Sequence, residues 1–152
     1  MKLFEAVVSE VAGQIPVIAN VGDNCTADTV EFAQDVQKLG VDGFMLVVPY
    51  YNKPPQEGLY QHFKTIANSV DLPCILYNIP GRCVINMTPE TTLRLANDVD
   101  NIVAIKEASG NLEQVAEIVN NKPADFDVYS GDDSLTYDIM KLGGVGVTVS
   151  YT

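Results

Sequence analysis

One rhythm constrains this chain more than anything else in it. Short apolar runs recur about every 25 residues, roughly six times, and amphipathic stretches of helical period separate them. The runs are Pro16 to Ala19, Gly43 to Val48, Leu72 to Tyr77, Ile102 to Lys106, Phe126 to Tyr129 and Gly146 to Val149. They are nearly continuous rather than alternating, as expected of strands covered on both faces. Strand–helix alternation implies right-handed crossovers and a parallel sheet. A doubly wound open sheet and a (β/α)8 barrel both satisfy that pattern. Three features favour the barrel. The alternation is monotonous. Reactive side chains stand at successive strand ends: Tyr50 and Tyr51, Tyr77 and Arg82, Lys106, then Asp132 and Asp133. No phosphate-cradling loop follows an early strand, and Gly143-Gly144-Val145-Gly146 precedes a strand instead of opening a helix. In a barrel, the carboxyl ends of the strands carry the active site.

The intervening helices are signposted. Leu3, Phe4, Val7, Val8 and Val11 have helical spacing, so a helix is already under way at Met1. Thr26 is the expected N-cap of the next helix, whose stripe is Val30, Ala33, Val36 and Leu39, with Gly40 as its stop. Leu59, Phe63, Ile66 and Val70 share one face of a helix from about Glu57. Thr88-Pro89-Glu90 is a helix start with a capping hydroxyl and proline at the first position. Asn111 with Gln114 resembles a capping box. A complete barrel has eight strands and about 250 residues. The expectation for these 152 residues is therefore one incomplete barrel domain, residues 1–152, with about six of eight βα units. The first two strands and the C-terminal helices would be missing.

Composition narrows the partners. The chain is 47% hydrophobic and 19% charged, with 9 Lys+Arg against 20 Asp+Glu and a net charge of −11. No basic stripe appears, so nucleic acid and anionic membrane are excluded as expected partners. No apolar run approaches the roughly 18 residues of a membrane span, and no secretory signal pattern is present. Cys25, Cys74 and Cys83 lack metal-ligand spacing and read as reduced thiols in a cytoplasmic protein, with neither cofactor nor metal expected.

Lys106 is the residue of greatest chemical interest. A free lysine has a pKa near 10.4, so only roughly one in 2,500 is the neutral amine at pH 7. Desolvation in an apolar barrel mouth favours that neutral form and makes an imine-forming nucleophile. The alternative is a lysine that snorkels to water or pairs with Glu107. Tyr77 ends the preceding strand and would lie beside Lys106, where its hydroxyl could carry protons; otherwise it is a packed aromatic. Arg82 in the following loop suits a carboxylate, or is a surface cation. Tyr50 and Tyr51 in a proline-rich loop suggest a site or an interface. The single histidine, His62, lies mid-helix and reads as structural. Asp132 and Asp133 follow Ser130-Gly131 at a helix start and read as capping residues, with an acid–base or metal pair as the alternative.

Several stretches together carry a resemblance: Pro49-Tyr50-Tyr51-Asn52-Lys53-Pro54, Gln56 to Phe63, Tyr77-Asn78-Ile79-Pro80-Gly81-Arg82, Ile105 to Asn111 and Ser130-Gly131-Asp132-Asp133. Over essentially its whole length the chain resembles the dihydrodipicolinate synthase (4-hydroxy-tetrahydrodipicolinate synthase) family of the pyruvate-dependent class I aldolase and N-acetylneuraminate lyase superfamily. The resemblance implies a lyase that condenses pyruvate with aspartate 4-semialdehyde in lysine (diaminopimelate) biosynthesis. It implies that Lys106 forms the Schiff base, Tyr77 relays protons and Tyr51 is a relay tyrosine that reaches a neighbouring subunit of a homo-oligomer. It implies that Arg82 binds the carboxylate of aspartate semialdehyde and that the Thr148 backbone lies near bound pyruvate. Tyr50 and Asn24 lie near where some members bind feedback lysine. Arg82 separates the synthase from the lyase branch, whose members cleave 2-keto acids such as sialic acids.

One departure stands out. The family's Gly-Thr-Thr-Gly-Glu stretch, with its relay threonine, has no match in these 152 residues. The expectation is that this chain by itself has little or no turnover. The remaining rival is a non-catalytic fragment that acts only by self-association through open sheet edges.

Overall fold

A computed structural model of the chain describes residues 1–149. The elements run α1 (Lys2–Val11), β1 (Ile18–Asn20), α2 (Thr26–Gln37), β2 (Gly43–Val47), α3 (Gln56–Ala67), β3 (Cys74–Asn78), α4 (Pro80–Cys83), α5 (Pro89–Asp98), β4 (Ile102–Glu107), α6 (Leu112–Asn121), β5 (Asp127–Ser130), a short 3-10 turn (Asp133–Leu135), α7 (Thr136–Leu142) and β6 (Gly146–Val147). The six strands form one sheet in sequential order, every neighbouring pair parallel. This is a half-barrel, the expected partial (β/α)8 architecture. Among the described residues, β1 and β6 are paired on one side only.

The core lies between the sheet and its helices. Phe44 and Leu46 of β2, Cys74 and Leu76 of β3, Ile105 of β4 and Val128 of β5 are fully buried against Leu59, Phe63 and Ile66 of α3, Leu95 of α5 and Ile118 of α6. Strand side chains alternate between faces. The residues between these, Met45, Val47, Ile75, Tyr77 and Tyr129, lie on the opposite, concave face and are only half-buried. No helix among the described residues is long and apolar enough to cross a membrane.

Local signals worked where the side chain could act on its own backbone. Thr88 caps α5 by accepting from Thr91 N, with Pro89 in the first turn. Asn111 caps α6, its Oδ1 accepting from Glu113 N and Gln114 N. The capping box is only half formed, however, because the Gln114 side chain turns inward to Glu107 rather than back to Asn111. Thr26 is not an N-cap. Cys25 holds that position without a side-chain bond, and the Thr26 hydroxyl lies 2.8 Å from His62 Nδ1. The loop expected after β3 contains a helical turn, α4, started by Pro80 and ended by Val84 in the left-handed region at φ 72.

One irregularity positions the site. Between β3 and β4, Cys74 pairs with Ile102 but Ile75 pairs with Ala104, so β4 carries one extra residue. Without that shift Tyr77 would face Ile105. With it, Tyr77 pairs with Lys106 and Asn78 with Glu107. Bulges of this kind re-aim side chains beside functional sites.

Candidate active site

The carboxyl ends of β3, β4 and β5 converge on a cleft of about 510 Å³. Its lining includes Tyr77, Arg82, Lys106, Gly131, Asp132, Asp133 and Val149. Tyr77 is the last concave residue of β3, and Lys106 is its register partner on β4. The Lys106 amine lies 4.2 Å from the centroid of the Tyr77 ring. Lys106 is 7% exposed and has no ion-pair partner among the described residues. Neither the snorkelling nor the salt-bridge reading therefore holds. Glu107 is its sequence neighbour but points to the helix-covered face.

Burial lowers the Lys106 pKa from the usual ammonium value. Burial also raises that of Tyr77, against an opposing pull from the Arg82 guanidinium. The two shifts favour an unprotonated amine beside a protonated phenol. That is a nucleophile next to a proton donor. Arg82 stands exposed on α4 at the rim of the same cleft.

Gly131 makes room for the lysine. A Cβ there would lie 2.8 Å from Ala108 Cβ, 3.1 Å from Lys106 Cε and 3.2 Å from Lys106 Cγ. The missing side chain leaves a slot along which the lysine stem runs. On the same wall, Asp132 caps the 3-10 turn through Ser134 N and the Ser134 hydroxyl, bonds that hold its carboxyl below the usual range. It caps, as expected, and also faces the cleft. No cluster of three or more metal-ligating side chains occurs among the described residues.

Two expected site residues lie outside this cleft. Tyr51 is 85% exposed, with φ 71, and no cleft contact brings it to Lys106. Its loop is anchored from behind: the Tyr50 hydroxyl donates to Asp23 Oδ1 at 3.0 Å and Asn52 Nδ2 to the Asn24 carbonyl at 2.7 Å. Thr148 is not a lining residue either. Its backbone N–H donates to the Ser130 carbonyl at 2.8 Å, beside Gly131.

Sequence reasoning missed what stands behind Lys106. Glu107 is 1% exposed and accepts from every neighbour: Asn78 Nδ2 at 3.2 Å to both oxygens, Ser109 N at 2.7 Å and Gln114 Nε2 at 3.0 Å. Asn78 Oδ1 in turn accepts from Met87 N at 3.0 Å, and Asn86 bridges Asn78 to Gln114. The available signal was the pairing of polar Asn78 and Glu107, each directly after a residue singled out for chemistry.

Fold and site together define a parallel half-barrel that holds a buried lysine beside a tyrosine on adjacent strand ends. The profile of the dihydrodipicolinate synthetase family matches residues 1–152, and the chain belongs to that family. It is 60% identical over 147 residues to 4-hydroxy-tetrahydrodipicolinate synthase 1 of Halalkalibacterium halodurans, covering 97% of this chain and 50% of that protein. Among solved structures, dihydrodipicolinate synthase of Aquifex aeolicus superposes with a TM-score of 0.95 at 47% identity, over 98% of this chain and 50% of that one. The lysine-bound enzyme of Cyanidioschyzon merolae also gives 0.95, at 56% identity and the same coverage. The chain spans about half the length of the relatives it matches.

Proposed function

We propose that this chain carries the imine-forming half of a 4-hydroxy-tetrahydrodipicolinate synthase site, the lyase that condenses pyruvate with aspartate 4-semialdehyde in lysine biosynthesis. The observation that carries the reading is the register pair Tyr77–Lys106, with the buried amine over the ring. In this reading the neutral Lys106 amine adds to the ketone carbon of pyruvate. The carbinolamine loses water to give an imine, with Tyr77 returning the proton that the departing hydroxyl takes up. The protonated imine acidifies the methyl group, the Tyr77 phenolate takes the methyl proton, and the resulting enamine attacks the aldehyde of the second substrate. Arg82 would hold that substrate's carboxylate in a bidentate fork at the rim. Tyr51, too exposed to serve this cleft, would act in a neighbouring subunit of a homo-oligomer, and the Thr148 backbone would face the pyruvate end. Residues 1–152 would form one incomplete barrel domain of a cytoplasmic protein, a location that suits three free cysteines.

Incubation with pyruvate and borohydride tests this. Hydride reduces the imine carbon and fixes pyruvate to the lysine as a secondary amine. Peptide mass spectrometry is expected to place the adduct on Lys106, and Lys106→Arg to lack it. A folded chain that gives no adduct, or one spread evenly over surface lysines, would overturn the proposal.

A further inference from the structure

The cluster behind the site does no chemistry in the mechanism above, yet a fully buried carboxyl is costly unless its form is fixed. Glu107 meets only donors: the Asn78 and Gln114 amides and the Ser109 N–H. Burial pushes the pKa of that carboxyl up, and the bonds from Ser109, Asn78 and Gln114 oppose the shift, so the donors offset part of what burial costs. Its partners lie on separate elements. Asn78 is on β3 directly after Tyr77, Ser109 follows β4, and Gln114 is on α6. Asn78 also holds Met87 N, at the far end of the segment that carries Arg82. Each polar residue is thus next in sequence to a cleft residue, or bonded to the segment carrying one, but on the opposite face of the sheet.

We propose that Glu107, through Asn78 and Gln114, is a positioning residue that holds the extra-residue register of β4 against β3 and thereby places the Lys106 amine over the Tyr77 ring. Backbone bonds alone permit two registers of β4, one before the shift and one after. Only the shifted one sets Asn78 beside Glu107, where the side-chain bonds form. Slipping back by one residue would put Ile105 beside Tyr77 and strand the Glu107 carboxyl away from Asn78. The proposal rests on the imine-forming reading only for its consequence in catalysis, because the placement itself can be read without pyruvate.

The test is a charge-conserving swap. Glu107→Gln presents an NH2 to a ring of donors. The Ser109 backbone cannot turn, and flipping Gln114 would deprive Asn86 Nδ2 of its acceptor. In E107Q/Q114E the new amide donates to the new carboxylate, which also still accepts from Asn86. The lysines are dimethylated with 13C-formaldehyde, and the Lys106 signal is assigned by its loss in Lys106→Arg. An amine 4.2 Å over an aromatic ring is expected to give an upfield ring-current shift. The shift should collapse toward the other lysines in E107Q and return in the double variant. Pyruvate trapping should fall about 10-fold or more in E107Q, since a 1 Å misplacement costs up to ~100-fold, and recover with the shift. An unchanged signal in E107Q, or a folded double variant without recovery, overturns the proposal. Loss of folding in both variants also overturns it, since the role would then be stability rather than placement. A wild-type chain with the shifted signal but no pyruvate adduct overturns only the functional reading.

Discussion

His62 gives a test of the packing that is independent of the cleft. It lies on α3, 6% exposed, edge-on to Phe63, with Nδ1 bonded to Thr26 Oγ1 and no partner among the described residues for its buried Nε2. Burial pushes its pKa down to about 4 from 6.5. In the folded chain the imidazole stays neutral between those values, while in the unfolded chain it binds a proton. The unfolded state therefore gains stability as pH falls through 6.5, and the loss to the fold levels off below about 4. The full penalty is about 3 kcal/mol at 1.36 kcal/mol per pKa unit. At pH 5 it is about 2 kcal/mol. For a chain of this size that is a drop of about 4–8 °C in Tm. Thermal melts of wild type and His62→Phe at pH 7 and pH 5 isolate the effect, because acid losses from the carboxylates are common to both. Wild type is expected to lose 4–8 °C more than the variant over that interval. Parallel losses would refute the assignment of His62 as a buried neutral group, whatever the variant's stability at pH 7.

Gly131→Ala is expected to slow pyruvate trapping on Lys106 about 10-fold or more, because the new Cβ at 3.1 Å from Lys106 Cε displaces the stem. A rate equal to wild type, measured by the time course of the adduct, would show that the slot is not needed. Thr88→Ala removes the cap of α5 and is expected to cost about 1 kcal/mol, read as the change in urea midpoint at constant slope.

The order of elements was legible because each apolar run is bounded by a turn or cap and the helical stripes keep one period throughout. The errors have particular causes. Leu72 and Pro73 read as strand, but a proline cannot donate to the ladder and β3 begins at Cys74. Thr26 read as a cap from its residue type, yet its hydroxyl is claimed by His62, 36 positions away. Gln114 read as half of a capping box, yet its amide is claimed by Glu107 from the sheet. In each polar case a distant partner outcompeted the local one, and no local pattern records that competition.

The site divides along the same line. Lys106 and Tyr77 stood out as candidates because strand ends in a barrel are where chemistry sits. That they meet was an inference from adjacency, and adjacency alone does not secure it: the unshifted register would have placed Ile105 there. The extra residue of β4 is what joins them, and it leaves no mark in a run of apolar residues. Its trace lies instead in Asn78 and Glu107, two polar residues on the helix-covered face where apolar ones are expected. A buried polar pair of that kind, one residue beyond each of two candidate catalytic residues, is thus informative about register. It can hydrogen-bond only when the strands are aligned in the way that also aligns Tyr77 with Lys106.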